Sequence, residues 1–194
     1  MSRVFWFFFA IFSLSLSPLA PAQDGAHISA EDRRLSKIHS QIIKDHPALT
    51  HVSAAEIDAL IANEQDVLLL DVREAKEFSV SHIDGAIRVD PDISPSDFMT
   101  RFGDQAAGKT VILYCSVGRR SSKLGASVRQ ALFDAGARPV SNLEGGVFRW
   151  HNDHGPLINS SGDTEKVHPY NMWWGRLLTR KDDLAYKADE EADR

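Results

Sequence analysis

Val111-Ile112-Leu113-Tyr114-Cys115-Ser116-Val117-Gly118-Arg119-Arg120-Ser121-Ser122 is the stretch on which the reading of this chain turns. An apolar run as unbroken as Val111 to Tyr114 predicts a strand covered on both faces, as strands are inside a parallel sheet. The run ends at Cys115, the only cysteine of the chain. Gly118 lets the backbone turn sharply and approach a ligand with no Cβ in the way. From Ser121 to Ala135 the residues Leu124, Val128, Ala131 and Leu132 recur at helical spacing, and Gly136 follows as a left-handed terminator. The order is strand, thiol, tight loop, helix.

That order has chemical consequences. Ligands of open α/β sheets bind where strands end and helices begin. The N–H groups from Ser116 to Ser121 can converge on one point, and the next helix adds the partial positive charge of its N-terminus. Arg119 and Arg120 complete a cationic rim. Surroundings of this kind favour the thiolate form of a cysteine and receive a small anion. A solitary cysteine is otherwise as well explained as inert core. The neighbours of Cys115 tip the reading toward a nucleophile.

Outward from the loop, apolar strands alternate with helical patterns. Thr50 to Val52 predicts a short strand, and Ser53 with Glu56 is a capping box opening a helix to about Asn63. Val67 to Val72 is a second buried strand, Glu74 to Phe78 a helical turn, and Gly85 to Val89 a further strand. Ser94 and Pro95 are an N-cap and first-turn pair for a helix that Gly103 should end. Pro139 to Leu143 predicts a last strand and Gly145 to His151 a last short helix. Such alternation means an α/β domain with a mostly parallel sheet.

Four blocks of this sequence resemble the single-domain rhodaneses. They are Asp71 to Phe78, Ser81 to Ile87, Cys115 to Ser121 and Leu143 to Trp150, in the family's order. The resemblance implies a rhodanese-like five-stranded parallel sheet flanked by helices, with the helical extensions of this chain at either end. It also implies transfer of sulfane sulfur through a persulfide on Cys115. Residue by residue, Cys115 is then the nucleophile, and Ser116, Val117, Gly118, Arg119, Arg120 and Ser121 hold the anion. Asp71, near the loop at the end of a neighbouring strand, helps fix loop geometry. Arg73, Glu77, His82, Gly85, Glu144, Gly145 and Gly146 are structural on the same resemblance. Family members that hydrolyse phosphate esters have a loop one residue longer, with the arginine six positions after the cysteine. Here it falls at Arg120 and Ser121 holds the sixth position, which favours sulfur transfer.

The implied partners are a small anionic donor such as thiosulfate and an acceptor such as cyanide or a thiol, with no metal or organic cofactor. Other readings of the same fold are a non-catalytic interaction module and a carrier passing persulfide sulfur between proteins. A retained cysteine and an intact loop argue for activity. Nucleic acid is excluded as a partner by a net charge of -5, with no basic surface pattern in the chain.

At the N-terminus, Met1-Ser2-Arg3 followed by apolar Val4 to Leu16 and a small-residue stretch ending at Ala22 reads as an export signal. The run is short for a spanning helix, which requires about 20 residues. The expected location is therefore a bacterial periplasm, with residues 1–22 removed. Residues 23–48 are read as linker and amphipathic helix outside the main core, 49–158 as the rhodanese domain, and 159–194 as an extension. Within that extension Asn159 to Asp163 reads as linker. Trp173, Trp174, Leu177 and Leu178 read as a helix latched onto the domain, or as a docking surface for a protein or membrane interface. His151 and His154 are expected as solvated surface histidines.

Overall fold

The computed structural model describes residues 28–62 and 66–188. The export signal expected over residues 1–22 lies outside these described residues. No helix among them is long and apolar enough to cross a membrane.

Five parallel strands make the central sheet: β1 (Thr50–Val52), β2 (Val67–Asp71), β3 (Ile87–Arg88), β4 (Thr110–Tyr114) and β5 (Val140–Leu143). Their order across the sheet is β1-β5-β4-β2-β3, so β4 is central. In register, Asp71 of β2 lies beside Tyr114 of β4, and Leu113 beside Asn142 of β5. The fold class is the α/β parallel sheet that the alternating pattern predicts.

The apolar run of β4 is divided between two cores, as side-chain alternation along a strand requires. Val111, Leu113 and Cys115 face a cluster with Phe98, Phe102, Leu124, Val128 and Leu132. These come from α4 (Pro95–Ala106) and α5 (Arg119–Asp134). Ile112 and Tyr114 face the other cluster, with Leu35, Ile57, Leu143, Val147 and Phe148. That face is covered by α1 (Ala30–Asp45), α2 (Ala54–Ala62) and α6 (Gly146–Asn152), while the short α3 (Ala75–Val80) follows β2.

Local signals place most helix starts. Ser53 and Glu56 form their capping box, with Ser53 N–H donating to Glu56 Oε2 at 2.7 Å. Ser94 Oγ accepts from Asp97 N–H at 3.1 Å ahead of Pro95. Gly103 does not end α4. It lies buried inside the helix, which runs on to Ala106. There its missing side chain keeps clear of Met99, whose Cε would be 3.2 Å from a Cβ.

The extensions are part of the packing. Helix α1 was expected outside the core, yet Leu35 is fully buried and Ile42 nearly so. The expected linker Asn159 to Asp163 is instead the turn and flanks of an antiparallel hairpin, β6 (Leu157–Asn159) with β7 (Gly162–Thr164). The aromatic segment forms a single 3-10 turn, Trp174–Leu177, rather than an α-helix. It packs on α1, and Leu177 and Leu178 are buried in the second cluster. Asn152 anchors it by donating from Nδ2 to Leu177 O at 2.9 Å and accepting from Thr179 N–H at 2.9 Å.

His151 was expected on the surface and is fully buried. Its Nε2 lies 3.1 Å from Glu165 O and 3.4 Å from Asp183 Oδ2, both in the C-terminal extension. His154 is exposed.

Candidate active site

Cys115 follows the last residue of β4, and α5 begins at Arg119, two residues earlier than its apolar spacing indicates. The loop is therefore Cys115 to Gly118. Gly118 caps the helix at φ 90, a left-handed conformation that disfavours any residue with a Cβ. A Cβ there would also lie 2.9 Å from Asn142 Nδ2. The backbone N–H groups of Ser116, Val117, Gly118, Arg119 and Arg120 have no protein acceptor among the described residues. Unpaired donors grouped at a helix N-terminus are what an anionic ligand satisfies.

The carbonyls of the loop point the other way and are held. Val147 N–H donates to Cys115 O at 2.9 Å, and Phe148 N–H to Ser116 O at 3.0 Å. Gly146 makes this approach possible. It has φ 58, and a Cβ on it would stand 2.2 Å from Cys115 O. Ser121 lies beneath the loop, fully buried, with Oγ donating to Asn142 Oδ1 at 2.6 Å. Asn142 in turn donates to Leu143 O at 3.1 Å.

The two arginines are not equivalent. Arg120 donates from its two terminal nitrogens to the two carboxylate oxygens of Glu77, each at 2.8 Å. Ser116 Oγ donates to the same carboxylate at 2.7 Å and accepts from Arg120 at 3.0 Å. Glu77 is fully buried on α3. Burial alone would raise its carboxyl pKa, but the hydrogen bonds and charge of Arg120, with Ser116 and Arg73, hold it below the ordinary value. Burial likewise opposes the charge on Arg120. Glu77, with the neighbouring Cys115, outweighs that and raises the arginine. Arg119 has no acidic partner among the described residues, and its guanidinium carbon lies 5.9 Å from the Trp174 ring centroid.

Asp71 sits beside Tyr114 at the end of β2, fully buried, as its place in the sequence indicates. Its carboxylate holds Arg73 rather than the loop, with Nε to Oδ1 at 2.8 Å and a terminal nitrogen to Oδ2 at 2.6 Å. Arg73 also donates to Ser81 O at 2.6 Å and lies 5.8 Å from the Tyr114 ring centroid. The Asp71–Arg73 pair thus fixes the chain after α3, and it is Glu77 that grips the loop.

Cys115 is only 1% exposed and opens into a cavity of about 190 Å³. Ser116, Val117, Arg119 and Arg120 line it, together with Tyr170 and Trp174 from the C-terminal extension. The Arg120 guanidinium lies 5.0 Å from the Tyr170 ring centroid. The sequence places Tyr170 in the C-terminal aromatic cluster, gives Glu77 a structural role and reads Trp174 as a latch or docking surface; the contact of all three with this site is not local to any of those signals. Among the described residues no group of three or more His, Cys, Asp or Glu side chains could hold a metal ion.

A thiol beside unpaired amides, just past the end of the central strand of a five-stranded parallel sheet, defines a class, and comparison supplies its name. Residues 53–153 match the rhodanese-like domain, and the chain belongs to that family. It is 34% identical over 113 residues to an uncharacterized protein of Synechocystis sp., covering 57% of this chain and 58% of that protein. It is 33% identical over 94 residues to the tRNA uridine(34) hydroxylase of Staphylococcus haemolyticus, covering 46% of this chain and 28% of the hydroxylase. A sulfurtransferase of Allochromatium vinosum is 25% identical over 114 residues, which are 59% of this chain and 99% of the relative. The chain thus spans less than two thirds of the first two proteins and nearly all of the third. Among solved structures, thiosulfate sulfurtransferase of Pseudomonas aeruginosa aligns at TM-score 0.48 and 21% identity, covering 74% of this chain and 26% of that one.

Proposed function

We propose that the protein is an exported sulfurtransferase that carries sulfane sulfur on Cys115. The observation that carries this reading is a buried thiol lining a cavity, beside loop N–H groups that no acceptor among the described residues satisfies. A family with a sulfurtransferase among its relatives supports the same chemistry.

The reaction is a two-step exchange. Thiosulfate or a similar donor enters with its negative charge toward the loop amides and Arg119. The Cys115 thiolate attacks the outer sulfur. A Cys–S bond forms, the sulfur–sulfur bond of the donor breaks, and sulfite leaves with the electron pair. The remaining persulfide anion is stabilised by the N–H groups that first held the donor, a preorganised set of dipoles. Cyanide or a thiolate then attacks the outer persulfide sulfur, and the Cys115 thiolate departs to start a new cycle. Both steps balance without metal or external oxidant.

Export bears on the same site. A lone cysteine has no partner in its own chain, so an oxidising compartment cannot remove it into an internal disulfide. Thiocyanate formation from thiosulfate and cyanide is the test. The wild-type protein should form it and Cys115→Ser should not; equal rates in both would dismiss the reading.

A further inference from the structure

Part of the cavity lining comes from outside the matched family region. Tyr170 and Trp174 lie beyond residue 153, where the match to the rhodanese-like domain ends. Trp174 is held in place rather than draped. Its N–H donates to Asn171 Oδ1 at 3.1 Å, and the turn it begins is seated by buried Leu177 and Leu178. Tyr170 stands at φ 63, with its N–H donating to His168 Nδ1 at 3.0 Å. His168 is itself buried. Two aromatic rings are thus built into the site by a docked extension, and Val117 adds apolar surface to them.

The charge inside is small beside that apolar area. Glu77 neutralises Arg120, which leaves Arg119 as the cation without an acidic partner among the described lining residues. The cavity volume is about 190 Å³. An apolar cavity of roughly 150 Å³ is enough to hold a benzene ring. Thiosulfate, polar over most of its surface, would leave both rings facing water. A pocket with apolar walls and few polar groups is complementary to a ligand with the same division of surface.

We propose that Tyr170 and Trp174 are specificity-determining residues that make this site prefer a sulfane donor bearing an organic group over thiosulfate itself. This rests on the sulfur-transfer reading of Cys115. The donor class is a monoanion in which one oxygen of thiosulfate is replaced by a carbon substituent, an organic thiosulfonate. Its outer sulfur reaches Cys115, its sulfonyl oxygens face the loop amides and Arg119, and its substituent lies between the two rings. The Cys115 thiolate bonds to the outer sulfur, the bond from that sulfur to the sulfonyl sulfur breaks, and an organic sulfinate leaves with the electron pair. One thiolate and one thiosulfonate give one persulfide anion and one sulfinate, so charge and atoms balance.

Benzenethiosulfonate, methanethiosulfonate and thiosulfate are the probes, used on the full chain with cyanide as acceptor. Each kcat/KM is divided by that donor's uncatalysed rate with cyanide, which removes differences in leaving-group reactivity. The corrected value for benzenethiosulfonate should exceed that for methanethiosulfonate by about tenfold, the scale of burying one ring against apolar walls. Tyr170→Ala and Trp174→Ala should each shrink that ratio, with thiosulfate use falling less. A ratio near one in the wild-type protein would overturn the proposal, and so would a ratio unmoved in both variants. Should Trp174→Ala fail to fold, exposed Tyr170 and the wild-type ratio still decide. If no probe loads sulfur onto Cys115, it is the sulfur-transfer reading that falls instead.

Discussion

Glu77 and Arg120, 43 residues apart, share two hydrogen bonds of 2.8 Å, and the same carboxylate accepts the Ser116 hydroxyl at 2.7 Å. One buried acid on α3 thereby ties the start of the Cys115–Gly118 loop to the first turn of α5. Removing one partner of such a pair leaves an uncompensated charge. Arg120 keeps 26% of its side chain exposed, which moderates the cost. Glu77→Ala should lower stability by about 2 to 3 kcal/mol, read from the urea midpoint. Loss of sulfur transfer should exceed what the remaining folded fraction explains, because the loop loses its tie.

The same pairing sets a dependence on acid. The Glu77 carboxyl lies below its ordinary 4.5 in the fold, so the unfolded chain takes up the proton first. Its contribution is present above the unfolded value and is lost as pH falls through the folded one. The stability gap between wild type and Glu77→Gln should therefore narrow as pH drops below 4.5. A gap that widens there would contradict the pairing.

The arginines should separate in assay. In the proposed reaction Arg119 faces the donor's charge, so Arg119→Ala should raise the apparent KM for thiosulfate several-fold and weaken its dependence on salt. Arg120→Ala leaves the buried Glu77 carboxylate without its cation, and should cost stability as well as turnover. Equal thermal midpoints for Arg120→Ala and wild type would remove Arg120 from the structural role.

Gly146 is a further point of failure. A methyl there would stand 2.2 Å from Cys115 O, at a φ of 58. Gly146→Ala should cost about 2 kcal/mol or more and displace the loop carbonyls that Val147 and Phe148 hold. Thermal unfolding measures the first effect and thiocyanate formation the second.

His151 ties the extension to pH near neutrality. Burial lowers it, with Arg180 adding to that, against the opposing pull of Glu165 and Asp183. Below 6.5 the unfolded chain binds a proton that the folded chain refuses, so stability is lost as pH falls from there through the lower folded value. Wild type should lose more of its thermal midpoint than His151→Gln between about pH 7.5 and 5.5, the range in which histidine changes charge.

Strand, loop and helix around Cys115 were legible because their signals are local: an apolar run, a glycine and a periodic face. Glu77 was placed correctly in the motif but not in its task, since its partner Ser116 lies 39 residues along the chain. The C-terminal wall was hidden for the same reason. Nothing near Tyr170 or Trp174 records that a 3-10 turn seated on α1, and the chain just before it, bring these two residues to the cavity of the thiol. His151 shows the limit of reading polarity as exposure, because its ring is buried against groups 14 or more residues downstream. Gly103 shows the complementary error, a glycine taken as a stop where packing on Met99 asked only for a small residue.

Intact mass of the full chain after exposure to thiosulfate shows whether Cys115 accepts sulfur. The wild-type protein should gain the mass of one sulfur atom, reversed by cyanide and absent in Cys115→Ser. An unchanged mass in the wild type, or the same gain in Cys115→Ser, would contradict sulfur transfer through Cys115.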